Sequence, residues 1–196
     1  MARTDIKKTI IEAAKPLFAR FAFKKTSVDE LARAAGVSKA TLYAYFDSKE
    51  ALFAAVVHSE GTRIFAGMDA AIAAAPTYEA KLRAFFTSFL KLLAESQLIR
   101  EASSETLAQL LPLARDVSNT LETQGRARLR ALVQGGVDTG EFDLEDIELT
   151  TRGLNLAAHS LHLVFIHDRD ADQATHDIPA FLDILLRGLT KGSLTP

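Results

Sequence analysis

Apolar residues recur at three- and four-residue spacing along almost the whole chain, and no stretch shows the turn-bounded two-residue alternation of a strand. The pattern predicts an all-α protein with helices at about 4–21, 28–35, 39–45, 49–74, 78–95, 98–110, 112–135, 144–167 and 178–190. The polar punctuation agrees with these breaks. Ser27 followed three residues later by Glu30 is a capping box, in which the hydroxyl accepts from a free backbone N–H and the carboxylate reaches back to the cap. Gly36 ends that helix, Ser38 and Ser48 can cap the next two, and Glu50 lies where a helix dipole favours negative charge. Pro76 blocks continuation of the fourth helix, Gly135, Gly136 and Gly140 mark a later turn, and the polar run Asp168 to Asp177 separates the last two helices.

Charge divides the chain. Residues 1–50 hold ten Lys/Arg against six Asp/Glu, whereas residues 51–196 hold thirteen against nineteen, so the net charge of −2 conceals a basic head on an acidic body. Only the head is suited to meet a polyanion. The absence of cysteine excludes disulfides, thiolate catalysis and cysteine-based zinc sites. Arg3, Asp5, Lys7, Lys8, Glu12 and Lys15 interrupt any signal-peptide core, and no run approaches the roughly 20 apolar residues of a membrane span, so a cytoplasmic location with no membrane partner is expected. The usual catalytic signatures are missing: there is no Gly-x-Ser-x-Gly elbow, no His-Glu-x-x-His and no phosphate-binding glycine loop. Ser88 and Lys91 form a Ser-x-x-Lys pair without its companion motifs, and His159 and His162 lack an identifiable third metal ligand. No enzyme activity, cofactor or metal is expected.

The chemistry concentrates between Thr26 and Lys49. A short helix with Val28, Leu31 and Ala32 inward meets Gly36-Val37-Ser38 and then a second short helix with Leu42 and Phe46 inward. This is a helix-turn-helix: the glycine permits the sharp turn, Val37 fills the angle and Ser38 restarts the backbone. Lys39, Ala40, Thr41, Tyr43, Ala44 and Tyr45 remain outside on the second helix. Lysine can meet phosphate or a guanine edge, threonine and tyrosine can donate to phosphates or touch a thymine methyl, and alanines let the backbone come close.

From Ile10 to about Phe53 the sequence resembles the TetR family of repressors. The resemblance is carried by Leu17-Phe18-Ala19, Phe23, Thr26-Ser27-Val28, Leu31-Ala32, Ala35-Gly36-Val37-Ser38, Thr41-Leu42-Tyr43, Tyr45-Phe46 and Ser48-Lys49-Glu50-Ala51-Leu52. One departure is Ala22, where the family usually has a glycine after the first helix. By position the resemblance implies phosphate contacts from Thr26 or Ser27, Tyr43, Tyr45 and Lys49, with Lys39, Ala40, Thr41 and Ala44 nearest the bases. It further implies a DNA-binding domain over 1–52, an effector-binding and dimerisation domain over 53–196, and a homodimer on a pseudo-palindromic double-stranded operator. The expected function is a repressor released by a small apolar effector; an effector-independent architectural or activating DNA-binding protein of the same fold is the alternative.

In the family a small-molecule cavity lies among the helices that correspond to residues 78–135 and the following one, which makes Phe86, Phe89 and Leu93 on the fifth helix candidates for its wall, with Val117, Leu121 and Leu129 facing them from the seventh; plain core packing is the competing account. Asn155, His159 and His162 are polar residues in an otherwise apolar eighth helix and could hydrogen-bond a ligand, although buried water or neighbouring side chains would satisfy them equally. Gly153, Ala157, Leu161 and Val164 form a stripe that allows close helix approach, and the last helix offers Phe181, Leu182, Leu185 and Leu189. Two such helices from each chain can form a four-helix bundle at a dimer seam; an intramolecular core face is the competing account.

Overall fold

The computed structural model describes residues 3–101, 112, 115–167 and 171–189, with side chains for all of these except residues 3, 4, 22, 100, 101 and 162–178. The helices are α1 (Arg3–Lys25), α2 (Val28–Ala34), α3 (Lys39–Tyr45), α4 (Lys49–Ala74), α5 (Tyr78–Ala94), α6 (Gln97–Glu101), α7 (Arg115–Asp138), α8 (Ile147–His167) and α9 (Ala171–Arg187). No β-strand occurs among the described residues, and none of their helices is long and apolar enough to cross a membrane.

Two boundaries differ from the sequence reading for local reasons. α1 continues to Lys25 instead of ending at 21, because Phe23 belongs in the core and Lys24 and Lys25 suit the negative end of the helix dipole. α9 starts at Ala171 rather than at 178 and takes Pro179 inside it, so part of the polar run read as a separator is helical. Polar residues break a hydrophobic stripe without breaking a helix. The remainder of the helix expected at 98–110 lies outside the described residues beyond Glu101.

The chain forms two compact units, Met1–Arg63 with Glu95–Leu121, and Ile64–Ala94 with Glu122–Pro196. In the first, Ile10, Ala14 and Phe18 repeat along α1 and share a core with Leu31 and Ala32 of α2, Leu42 of α3, Leu52, Phe53 and Val56 of α4, and Leu98 of α6. Phe18, Phe23 and Phe53 meet as a ring triad with centroids 5.2–5.9 Å apart. The division therefore differs from one at residues 52 and 53: Val56 extends the head core along α4, while α6 packs against α1 and inserts Leu98. Gly61 also belongs here, since a Cβ at that position would lie 2.6 Å from the Leu121 methyls. Glu60 is only 8% exposed, with the Arg63 guanidinium at 2.7 Å and the Lys15 ammonium at 3.7 Å. Burial pushes its pKa up, but the hydrogen bonds and positive charges around it prevail and hold the carboxyl below its ordinary value.

In the second unit α5 packs against α8 and α9, and the buried residues include Leu82, Phe85, Phe86, Leu90 and Leu93 of α5, Leu154 of α8, and Leu182 and Leu186 of α9. Arg128 forms a two-pronged pair with Asp69, both bonds 2.8 Å, and its guanidinium stacks 4.3 Å from the Phe65 ring centre, tying α7 to this end of α4. The turn after α7 returns Glu141 to the start of α5, where its carboxylate accepts from the backbone N–H groups of Tyr78 and Glu79 at 2.7 and 3.3 Å. Two donors that the helix cannot satisfy itself are thereby paired.

Candidate DNA-binding interface

The head builds its reading surface from short-range hydrogen bonds. Ser27 caps α2: its hydroxyl accepts from the Glu30 N–H at 3.2 Å, and the Glu30 carboxylate accepts from the Ser27 N–H at 2.8 Å. Hydrogen bonds from the Ser27 backbone and hydroxyl hold the Glu30 carboxyl below its ordinary pKa. At the other end Val37 N–H donates to the Ala32 carbonyl and Gly36 N–H to that of Arg33, a paired closure that needs a left-handed residue between them. Gly36 is that residue, with φ +66°. Ser38 then caps α3 by accepting from the Thr41 N–H at 3.0 Å, and Leu42 and Phe46 anchor the helix in the core.

The outward face of α3 consists of Lys39, Ala40, Tyr43 and Ala44, all exposed. Lys39 lies 3.2 Å from Asp29 of α2 in a surface ion pair that phosphate can displace at little cost. Thr41 is half-buried, its hydroxyl 2.8 Å from that of Ser38, and Tyr45 is half-buried against the head core. Two expected phosphate contacts need correction. Thr26 is 2% exposed and its hydroxyl donates to the Leu17 carbonyl at 3.3 Å, so the side chain is a packing element and Ser27 is the exposed member of the pair.

Lys49 is the second correction. Its ammonium donates to the carbonyls of Phe23 at 2.7 Å and Thr26 at 3.0 Å and lies 4.3 Å from the Phe23 ring centre. It closes the C-terminal end of α1, joining α4 to the α1–α2 turn, rather than standing free for DNA. Lys49→Met keeps the aliphatic stem but strands two carbonyls, so a loss of about 1.5–3 kcal/mol in denaturation is expected. A variant with wild-type stability and a reduced salt dependence of DNA binding would return Lys49 to the phosphate contacts.

The body residues divide differently from the sequence reading. Phe86 and Leu93 are buried and Phe89 half-buried on α5, and Asn155 is half-buried on α8. His159 is exposed, on a different face of α8 from buried Thr151 and Leu154, so it is no part of this unit's interior. Val117 and Leu121 are half-buried and belong to the first unit, with Leu121 against Gly61. The side chains of His162 and Val164 lie outside the described residues. The Ser88 hydroxyl donates back to the Ala84 carbonyl at 2.6 Å, an ordinary helix contact.

The proposed seam residues also separate. Leu182 is fully buried and Leu189 is 8% exposed, so both belong to the chain's own core and not to a free face. Leu185, Ala157 and Leu161 are half-buried at the margin. The outward apolar face keeps Gly153 of α8 and Phe181 of α9 from that set and adds Leu149 and Leu156 of α8 and Ile184 of α9; Leu156 is 66% and Ile184 75% exposed. Between them runs an open groove of about 370 Å³ lined by Gly153, Leu156, Ala157, Ser160, Leu161 and Phe181. Leu149, Leu156 and Ile184 were missed from the sequence, although the three- and four-residue spacing of Leu149, Gly153, Leu156 and Ser160 traces the face on α8 and the three-residue step from Phe181 reaches Ile184 on α9.

A capped helix-turn-helix with a basic, small-residue outer face, set in an all-helical chain, defines a DNA-binding protein of the bacterial regulator type. Residues 10–56 match the family described as bacterial regulatory proteins, tetR family. The HTH-type transcriptional regulator Rv1255c of Mycobacterium tuberculosis is 49% identical over 55 residues, covering 28% of this chain and 27% of that protein. The chain thus spans about a quarter of that relative's length in the alignment. The HTH-type transcriptional regulator YhgD of Bacillus subtilis is 26% identical over 189 residues, 96% of each chain. In fold, the chain is similar to the transcriptional regulator FadR from Bacillus subtilis in complex with stearoyl-CoA, with TM-score 0.68, 20% identity and coverage of 94% of this chain and 98% of that one. The likeness to the tetR family of bacterial regulatory proteins thus lies in residues 10–56, and beyond them the fold is shared with solved transcriptional regulators.

Proposed function

We propose that this regulator is a repressor that binds a pseudo-palindromic operator as a homodimer and leaves it when a small apolar molecule binds the second unit. The observation that carries the DNA reading is the outer face of α3, where exposed Ala40 and Ala44 form one strip and exposed Lys39 and Tyr43 the strip beside it. The small side chains let the helix backbone approach base edges, while the longer polar ones beside them can reach the phosphates or base edges. The outer face of α8 and α9 supports pairing of two chains, which presents two reading helices. Aromatic, buried α5 with half-buried Asn155 on α8 supports an apolar ligand with one polar contact, and the stearoyl-CoA bound by the FadR neighbour suggests a long acyl chain as the first class to examine.

Binding-site selection with the purified chain is expected to return inverted repeats whose half-sites are about one helical turn, or a multiple of it, apart. Ala44→Glu, which adds bulk and negative charge at the groove, should abolish the selection while preserving the helical spectrum. Recovery of no enriched sequence, or of an isolated half-site, would refute the dimeric operator reading. Ligands bound by the free protein should be weakened by operator DNA by the same factor with which they weaken DNA binding. Equal affinity for free and DNA-bound protein would remove the effector part.

A further inference from the structure

The buried stripe of α1 comprises Ile10, Ala14 and Phe18, and three residues before Ile10 the same face carries Lys7. One turn before Ile10, half-buried Ile6 carries the apolar stripe on against the same core. Lys7 is instead exposed, with its ammonium 5.6 Å from the centre of the Phe46 ring. Phe46 is the C-cap of α3. Lys7 therefore stands beside the apolar stripe where α1 passes the C-terminal end of the reading helix, an exposed cation at the edge of the head core. No carboxylate pairs with it among the described residues, whereas Lys39, at the other end of α3, rests on Asp29.

The seven residues of α3 span roughly 10 Å, about the width of a B-DNA major groove. With α3 in that groove, groups at its ends reach the sugar-phosphate rims. We propose that Lys7 is a phosphate-binding residue that holds the DNA strand passing the C-terminal end of α3, so that α1 grips the duplex together with the helix-turn-helix. This rests on the DNA-reading function proposed above. The ligand is a backbone phosphodiester, so the contact adds affinity and register without sequence preference.

The test uses the full chain, with Lys7→Met to keep the stem over Phe46 while removing the charge and Lys7→Arg to restore a cation. Affinity for the selected operator and for random duplex is measured across a salt series, with phosphate-ethylation interference on the operator. Lys7→Met should weaken both duplexes by a common factor, lower the magnitude of the log–log salt slope by about 2 per dimer, and erase interference at one phosphate per half-site. Lys7→Arg should recover slope and interference. A wild-type slope and interference pattern in Lys7→Met, whether or not its melting temperature falls, would overturn the proposal and leave Lys7 a packing residue. Failure of the wild-type chain to bind any duplex would instead overturn the DNA reading, and this proposal with it.

Discussion

Replacing Leu156 and Ile184 together with aspartate is expected to convert the protein to a well-folded monomer that loses about 10²- to 10⁴-fold in operator affinity. Both side chains are mostly exposed within one chain, so the charges should disturb its own core little. In the pairing proposed through α8 and α9, these positions would be covered beside the groove at Gly153 and Phe181, where unpaired carboxylates would lose hydration and repel. The affinity falls because a single head keeps one set of contacts and loses the second, effectively intramolecular, set. Ala157 and Leu185 are poorer positions for this test, since both are half-buried and a charge there would also strain the fold. Sedimentation and operator titration check the result. A variant that remains dimeric would refute the seam on α8 and α9, and a monomer with undiminished affinity would refute the dimer as the DNA-reading species.

Phe53→Ala should cost about 3–5 kcal/mol and lower the melting temperature of the head by about 12–40 °C. Phe53 is 1% exposed and contacts Phe18 and Phe23 edge-on, with centroids 5.2 and 5.9 Å away. Its removal opens a cavity at the junction of α1 and α4, and rigid neighbours can refill only part of it. The loss approaches the whole stability of a typical domain, so DNA binding should fail as well. Hydrogen exchange supplies the decisive comparison: amides of α1, α2 and α3 should lose protection, while those buried in α5 and α7 should retain most of theirs. Equal loss in both units would mean that they unfold as one, and unchanged protection in the head would mean that the ring triad does not hold it together.

Much of the reading surface was legible in the sequence because its causes are local. The Ser27–Glu30 box, the left-handed Gly36, the Ser38 cap and the inward Leu42 and Phe46 each involve residues a few positions apart, so spacing alone reveals them. Helix limits followed to within about three residues from the same short-range rules, with larger differences where Phe23 extended α1 into the core and the polar start of α9 proved helical. Other features depended on distant partners. Lys49 looked like a DNA contact until its ammonium was found on carbonyls 26 and 23 residues away, and Thr26 until its hydroxyl was found turned toward Leu17. The segment from Glu95 joins the head only because Leu98 reaches a core whose other members lie more than forty residues earlier. α8 and α9 are apolar on more than one side, and periodicity cannot say which side turns inward. Packing against α5 decides it, burying Leu182, Leu186 and Leu189 and leaving Leu156 and Ile184 outside. Capping and helical periodicity act over one or two turns and are written in neighbouring residues, whereas the choice of buried face is an energy of contact between helices far apart in the chain.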